Sequence, residues 1–234
     1  MNREYHHWVS PNLGRSMETL VFGYAGAPVL VFPTTMGRFF QYEDFGMVAA
    51  LESKLDAGMV QLFCPDSVDA ESWYNRAVPP RQRVLRYQDY EHYILNEYIP
   101  FIRTRNQGPL LVTGTSFGAY HAVNFAFRYP WMVRKLVALS GRYDIKGFMN
   151  GYYDDDVYFN CPIDFLPNLS DEAYLGPMRQ MEIILFSGEH DIALNSTRLV
   201  SETLTSKDVS HELAIWWGYT HDWPLWREAI PHYI

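Results

Sequence analysis

The sequence predicts an α/β fold built on a mostly parallel central sheet with helices on both faces. Short apolar, β-branched runs recur along the chain, and segments with helical spacing stand between them. Proline and glycine punctuate the junctions, as at Pro79-Pro80 and Tyr129-Pro130. Strands that alternate with helices imply parallel pairing, because each crossover helix must pack back onto a sheet face.

In chain order, His7–Val9 and Glu18–Gly23 read as opening strands. Ala27–Phe32 (APVLVF) is a buried central strand, since both of its faces are apolar. Phe45–Lys54 carries helical spacing and stops before Ala57-Gly58. Met59–Cys64 is a second buried strand, and Arg81–Arg103 a long amphipathic helix. Pro109–Thr113 reads as a strand, Phe117–Arg128 as a helix and Lys135–Ser140 as a strand. Glu182–Ser187 is a strand followed by a helix around Ser196–Thr205. Glu212–Trp217 is the last strand, and Trp223–Tyr233 the last helix. The stretch Gly141–Pro177 is long, irregular and rich in tyrosine and phenylalanine. Loops of that length inside a compact domain are usually functional. It reads as a small cap insertion on a single domain spanning 1–234.

Composition narrows the function classes. The chain has 234 residues and a net charge of −8. An acidic surface repels phosphate backbones, so no nucleic-acid partner is expected. The longest apolar runs are too short to span a bilayer, so no membrane association is expected. The N-terminus lacks the apolar core of a signal peptide, and a cytoplasmic location is expected. Cys64 and Cys161 stand in no metal or redox spacing and read as buried free thiols. No metal and no cofactor are expected. Self-association into a homo-oligomer is compatible with the sequence.

The decisive motif is Gly114-Thr115-Ser116-Phe117-Gly118, a GxSxG. The pattern alone recurs by chance, and its bland reading is a glycine-rich turn with Ser116 as a helix N-cap. Here it follows an apolar strand and opens a helix, the setting a nucleophile elbow requires. The flanking glycines suit a turn in which backbones approach closely. A serine hydroxyl needs a base to remove its proton. His221 fits, in the loop after the last strand. His6 and His7 are terminal, His92 is mid-helix, His211 precedes the last strand and His232 lies in the closing helix. His121, one turn past Ser116, reads as a packing residue. The base needs a carboxylate to fix its tautomer. Asp191, after Glu182–Ser187, is the first choice, with Glu189 as the rival and Asp144 a weaker third. Asp222, adjacent to His221, points elsewhere. The backbone N–H of Phe117 is the first oxyanion donor. The second comes from the loop Pro33–Gly37, with Thr35 preferred and Thr34 as the alternative.

Several segments together resemble the esterase D-type branch of the α/β-hydrolase superfamily, which includes feruloyl esterases and mycolyltransferases. They are VFPTTMGRFFQYEDFG, VTGTSFGAYHA, LSGRYD, FSGEHD and HDWPLW, and they span most of the chain. FPTTMGRFF, ESWYN, SFGAYHAVNFA and HDWPLWRE are similar to a group of bacterial esterases of this branch. The resemblance implies the α/β-hydrolase fold and an acyl-enzyme mechanism without a cofactor. It carries the nucleophile onto Ser116, the acid onto Asp191 and the base onto His221. Many members have His-Gly or Asp-Gly after the third strand, where this chain has the stiffer Pro33-Thr34.

The expected substrate is a small-molecule ester with a small to medium acyl group. Phe40, Trp73, Tyr74 and Tyr152 are the candidate substrate-binding side chains, with Phe39, Phe117 and Tyr153 beside them. Aromatic walls of this kind suit acyl or aryl groups of modest polarity. Arg38 and Asn160 are candidates to orient a polar substrate end. The competing readings are an acyltransferase using the same acyl-enzyme, and a catalytically silent binding module on the same fold.

Overall fold

The computed structural model describes all 234 residues. Eight strands form one sheet. They are β1 (Arg3–Ser10), β2 (Arg15–Phe22), β3 (Ala27–Phe32), β4 (Val60–Pro65), β5 (Leu110–Thr115), β6 (Val133–Leu139), β7 (Glu182–Gly188) and β8 (Glu212–Trp216). Their spatial order is β1-β2-β4-β3-β5-β6-β7-β8. The β1–β2 and β2–β4 pairings are antiparallel and all others parallel. β1 is longer than its apolar centre suggested, because it pairs with β2 from Arg3↔Phe22 to Ser10↔Arg15.

Strand alternation sends successive side chains to opposite faces. Leu30 and Phe32 of β3 join one apolar cluster with Val112 and Leu185. Val29 and Val31 join the other with Leu111 and Ile184. The first cluster is covered by α4 (Pro80–Tyr93), α5 (Ile99–Arg105), α6 (Phe117–Arg128), α8 (Pro162–Asn168), α9 (Glu172–Gln180) and α10 (Leu194–Ser206). The second is covered by α2 (Met47–Ala50), α3 (Glu52–Asp56) and α11 (Trp223–Tyr233).

Three expectations are corrected. The predicted helix Phe45–Lys54 is broken into α1 (Gln41–Asp44), α2 and α3. Gly46 adopts φ 76°, which ends α1 and re-aims the chain. The predicted helix Arg81–Arg103 is interrupted by a π-helical turn at Ile94–Tyr98. Pro100 cannot donate to the carbonyl one turn back, so the α register is lost there. The third correction is the stretch Gly141–Pro177, which is largely helical rather than irregular. It holds a 3₁₀ turn at Lys146–Phe148, α7 (Asp155–Tyr158), α8 and most of α9. Asp154 caps α7 by accepting from the Val157 N–H at 3.0 Å, and Asp171 caps α9 through the Ala173 N–H at 2.9 Å. These helices cover α6, whose Tyr120 hydroxyl donates to the Asn160 carbonyl at 2.9 Å. That explains why α6 is buried all round from Phe117 to Phe127.

Candidate active site

Ser116 lies between β5 and α6 with φ 54° and ψ −118°. This left-handed backbone costs a non-glycine residue about 1–3 kcal/mol and persists only where the surroundings hold it. Its neighbours supply that hold. A Cβ on Gly114 would stand 2.2 Å from the Gly118 carbonyl oxygen, and one on Gly118 would stand 2.4 Å from that of Phe32. The Ser116 N–H also donates to the Leu139 carbonyl at 2.8 Å, which ties the turn to β6.

His221 and Asp191 converge on this turn. Asp191 follows β7 and His221 follows β8. The two loops are laced together, with the His190 N–H donating to the Tyr219 carbonyl at 2.9 Å and the Glu189 N–H to the Trp216 carbonyl at 2.8 Å. His221 Nδ1 lies 2.8 Å from Asp191 Oδ1, and His221 Nε2 lies 2.9 Å from Ser116 Oγ. A carboxylate only accepts, so the ring proton sits on Nδ1 and Nε2 is left to accept from the serine hydroxyl. The Asp191 side chain is fully buried, whereas His221 keeps 20% of its surface exposed. Burial alone would push the Asp191 carboxyl up. Hydrogen bonding to His221, together with the nearby Ser140 hydroxyl and the Ala193 N–H, outweighs it and holds the group below the usual carboxylate range.

The rival carboxylates are engaged elsewhere. Glu189 accepts from the Gly218 N–H at 3.1 Å. Asp144 accepts from the Lys146 N–H at 2.9 Å. Asp222 caps α11 through the Trp223 N–H at 2.7 Å.

The loop Pro33–Gly37 leaves one donor uncommitted. The Thr34 N–H donates to Gln41 Oε1 at 2.8 Å and the Met36 N–H to Asp69 Oδ2 at 3.0 Å. The Gly37 N–H closes the turn onto the Thr34 carbonyl at 2.8 Å. The Thr35 N–H has no protein partner. Phe117 opens α6, so its N–H has no intrahelical acceptor either. Both N–H groups are candidate donors read from sequence, and that of Thr34, the alternative, is engaged by Gln41.

Of the four candidate substrate-binding side chains, Tyr74 adjoins this region. Its ring is 5.6 Å from Phe117 and 4.8 Å from Phe148, and its hydroxyl donates to Thr35 Oγ1 at 3.4 Å. Trp73 is corrected to a core residue. It is fully buried against Tyr87, 4.8 Å away, and Tyr120, and presents no surface to a ligand. Phe40 stacks edge-on to Phe39 at 5.0 Å, and Tyr152 donates to Asp154. No ring contact or hydrogen bond joins either of them to Ser116 or His221. Arg38 is held by Asp66 and Glu18, and Asn160 is fully buried between Asn124 and Arg128. Asn160 thus offers a substrate no surface, and no hydrogen bond or ring contact joins Arg38 to Ser116 or His221.

One residue beside His221 escaped sequence reasoning. The Trp226 ring stands edge-on to His221 at 5.0 Å, and its Nε1–H donates to Ser140 Oγ at 2.8 Å. Trp226 follows Trp223 by one helical turn, and the two rings meet edge-on at 5.1 Å, with Trp223 stacked on Phe45 at 4.3 Å. Both cysteines are free and buried, as read from sequence. Burial pushes the Cys161 thiol up to about 12, so it is not a thiolate near neutral pH.

The strand order and the serine on its strained strand-to-helix turn define the α/β-hydrolase fold. Solved structures agree. A ferulic acid esterase superposes with a TM-score of 0.79 at 15% identity, over 99% of this chain and 95% of its own. An S-formylglutathione hydrolase from Agrobacterium tumefaciens gives 0.76 at 14% identity, over 97% of this chain and 90% of its own. One from Staphylococcus aureus gives 0.73 at 14% identity, over 99% and 94%. No family model and no curated protein matches the sequence. No helix is long and apolar enough to cross a membrane.

Proposed function

We propose that this protein is a serine carboxylesterase that hydrolyses small to medium acyl esters through an acyl-enzyme. The observation that carries the reading is the unbroken chain from Ser116 Oγ to His221 at 2.9 Å and from His221 to Asp191 at 2.8 Å. Ser116 Oγ attacks the ester carbonyl carbon as its proton passes to His221 Nε2. The tetrahedral oxyanion accepts from the Phe117 and Thr35 N–H groups. The intermediate collapses, and the leaving alkoxide takes the proton from Nε2. Water then attacks the acyl-enzyme, giving its proton to the same nitrogen. The second collapse releases the carboxylic acid and returns the proton to Ser116. Asp191 holds the ring tautomer and stabilises the imidazolium.

The names of the structural neighbours support ester chemistry. The acyl size is inferred from the space. Phe117, which follows Ser116, packs with Tyr74 and Phe148 in one aromatic group with rings 4.8–5.6 Å apart, and we read this group, with Phe148 contributed by the insertion as a small cap, as the acyl-side wall. Two cavities, of about 510 and 410 Å³, are lined by other residues altogether.

The test is hydrolysis of p-nitrophenyl acetate, butyrate, decanoate and palmitate across pH. The short esters are expected to lead palmitate by roughly ten-fold or more in kcat/KM. Asp191 stays ionised through this range because its carboxyl is held low. A base must be neutral to take the serine proton, so kcat/KM is expected to fall as pH is lowered while Asp191 remains ionised. A rate that is flat from about pH 5 to about pH 8 contradicts a histidine base. Preference for palmitate contradicts the acyl size. Added methanol that diverts most product to the methyl ester would assign the acyl-enzyme to transfer.

A further inference from the structure

One buried carboxylate–histidine pair lies outside the mechanism above. Asp69 and His121 each expose only 2% of their side chains. His121 sits on α6, five residues beyond Ser116, walled by Phe117 at 4.8 Å, Tyr87 at 5.5 Å and Phe32 at 5.8 Å. Its Nε2–H donates to Asp69 Oδ1 at 3.0 Å. The other carboxylate oxygen, Oδ2, accepts from the Met36 N–H at 3.0 Å. One carboxylate thus ties the helix that carries the Phe117 N–H to the loop that carries the Thr35 N–H.

That loop needs a tie. Thr34–Gly37 is a tight turn closed by the Gly37 N–H on the Thr34 carbonyl. Its third residue, Met36, has φ 55°, a conformation that turns of this kind normally assign to glycine. Gln41 holds the start of the turn through the Thr34 N–H, and the Ser67 hydroxyl holds its end by donating to the Gly37 carbonyl at 2.9 Å. Asp69 grips its middle by the backbone, through the residue that directly follows Thr35, where the only other hold is the longer side-chain bond from the Tyr74 hydroxyl to Thr35 Oγ1 at 3.4 Å.

We infer that Asp69, oriented by His121, is a positioning residue that sets the separation between the two oxyanion donors. The inference rests on the esterase reading. An oxyanion donor works only within hydrogen-bond reach of where the charge develops, about 2.7–3.1 Å. A loop displaced by a fraction of an ångström weakens the transition state while leaving ground-state binding nearly untouched.

The test compares Asp69→Ala, Asp69→Asn and Ser116→Ala with the wild type, using p-nitrophenyl acetate and an alkyl trifluoromethyl ketone that mimics the tetrahedral state. Asp69→Ala is expected to lose about 10- to 100-fold in kcat with KM little changed, and to lose ketone affinity in parallel. Asp69→Asn keeps an acceptor for Met36 and donates its amide to His121 in the other ring tautomer, so it recovers most of the rate. A purely structural role lowers the thermal midpoint and the fraction of titratable sites without a matching loss of ketone affinity per active site. That result overturns the inference, as does an Asp69→Ala kcat within about two-fold of wild type. Should Asp69→Ala not fold, His121→Leu carries the same comparison from the other side of the pair. If the wild type hydrolyses no ester, or Ser116→Ala retains turnover, the esterase reading itself fails. If those two behave as expected and the Asp69 and His121 variants do not, only the positioning role is lost.

Discussion

Ser116→Ala is expected to lower kcat for ester hydrolysis by about a million-fold, leaving the fold intact. The expectation follows from what the side chain contributes. Its Oγ is the atom 2.9 Å from His221 Nε2, and alanine removes that atom alone. The backbone strain at φ 54° is common to serine and alanine, because both carry a Cβ. The elbow therefore keeps its shape, with Gly114 and Gly118 still allowing the close approaches around it. The residual rate comes from binding and the two N–H donors, which the substitution does not touch. Steady-state turnover of p-nitrophenyl acetate, with circular dichroism as the fold control, measures it. Turnover within ten-fold of wild type would mean that chemistry runs elsewhere, and the silent-module reading would then stand for this site.

The second large effect is at the acid. Asp191→Asn is expected to cost about ten-thousand-fold in kcat, while Glu189→Gln leaves kcat near the wild-type value. Asparagine keeps the size of the side chain but turns its NH₂ toward His221 Nδ1. The ring then carries its proton on Nε2 and cannot accept from Ser116. Glu189→Gln keeps an acceptor for the Gly218 N–H, so the histidine loop holds its place. Stability gives an independent readout. The folded-state pKa of Asp191 lies below its unfolded value, so its ionised form stabilises the fold above the ordinary carboxylate range. That contribution is present at neutral pH and lost as pH falls through the lowered value. Asp191→Asn should therefore cost more stability near neutrality than at strongly acidic pH. Reversed ranks for the two variants would move the acid to Glu189.

The parts legible in the sequence are those with a local signature. Buried parallel strands show as short apolar runs, and Ala27–Phe32 and Phe117–Arg128 are found at their expected bounds. The meeting of Ser116, Asp191 and His221 was readable because each follows a strand that ends on the same sheet edge. Other features depend on contacts that no local pattern marks. A count of aromatics does not separate a pocket wall from a core, so Trp73 reads as a ligand contact until its burial is seen. The insertion reads as irregular because Pro167 and Pro177 fall inside its helices, although Asp154, Pro162 and Asp171 stand at helix starts. The grip of Asp69 on Met36 joins residues 33 positions apart and leaves no trace in spacing.

The most direct measurement of the central claim is mass-spectrometric mapping of a fluorophosphonate adduct on the native protein. A single adduct is expected, on the peptide containing Ser116, with ester turnover lost in proportion to labelling. Turnover that survives complete labelling of Ser116, or an adduct confined to another residue, would contradict it.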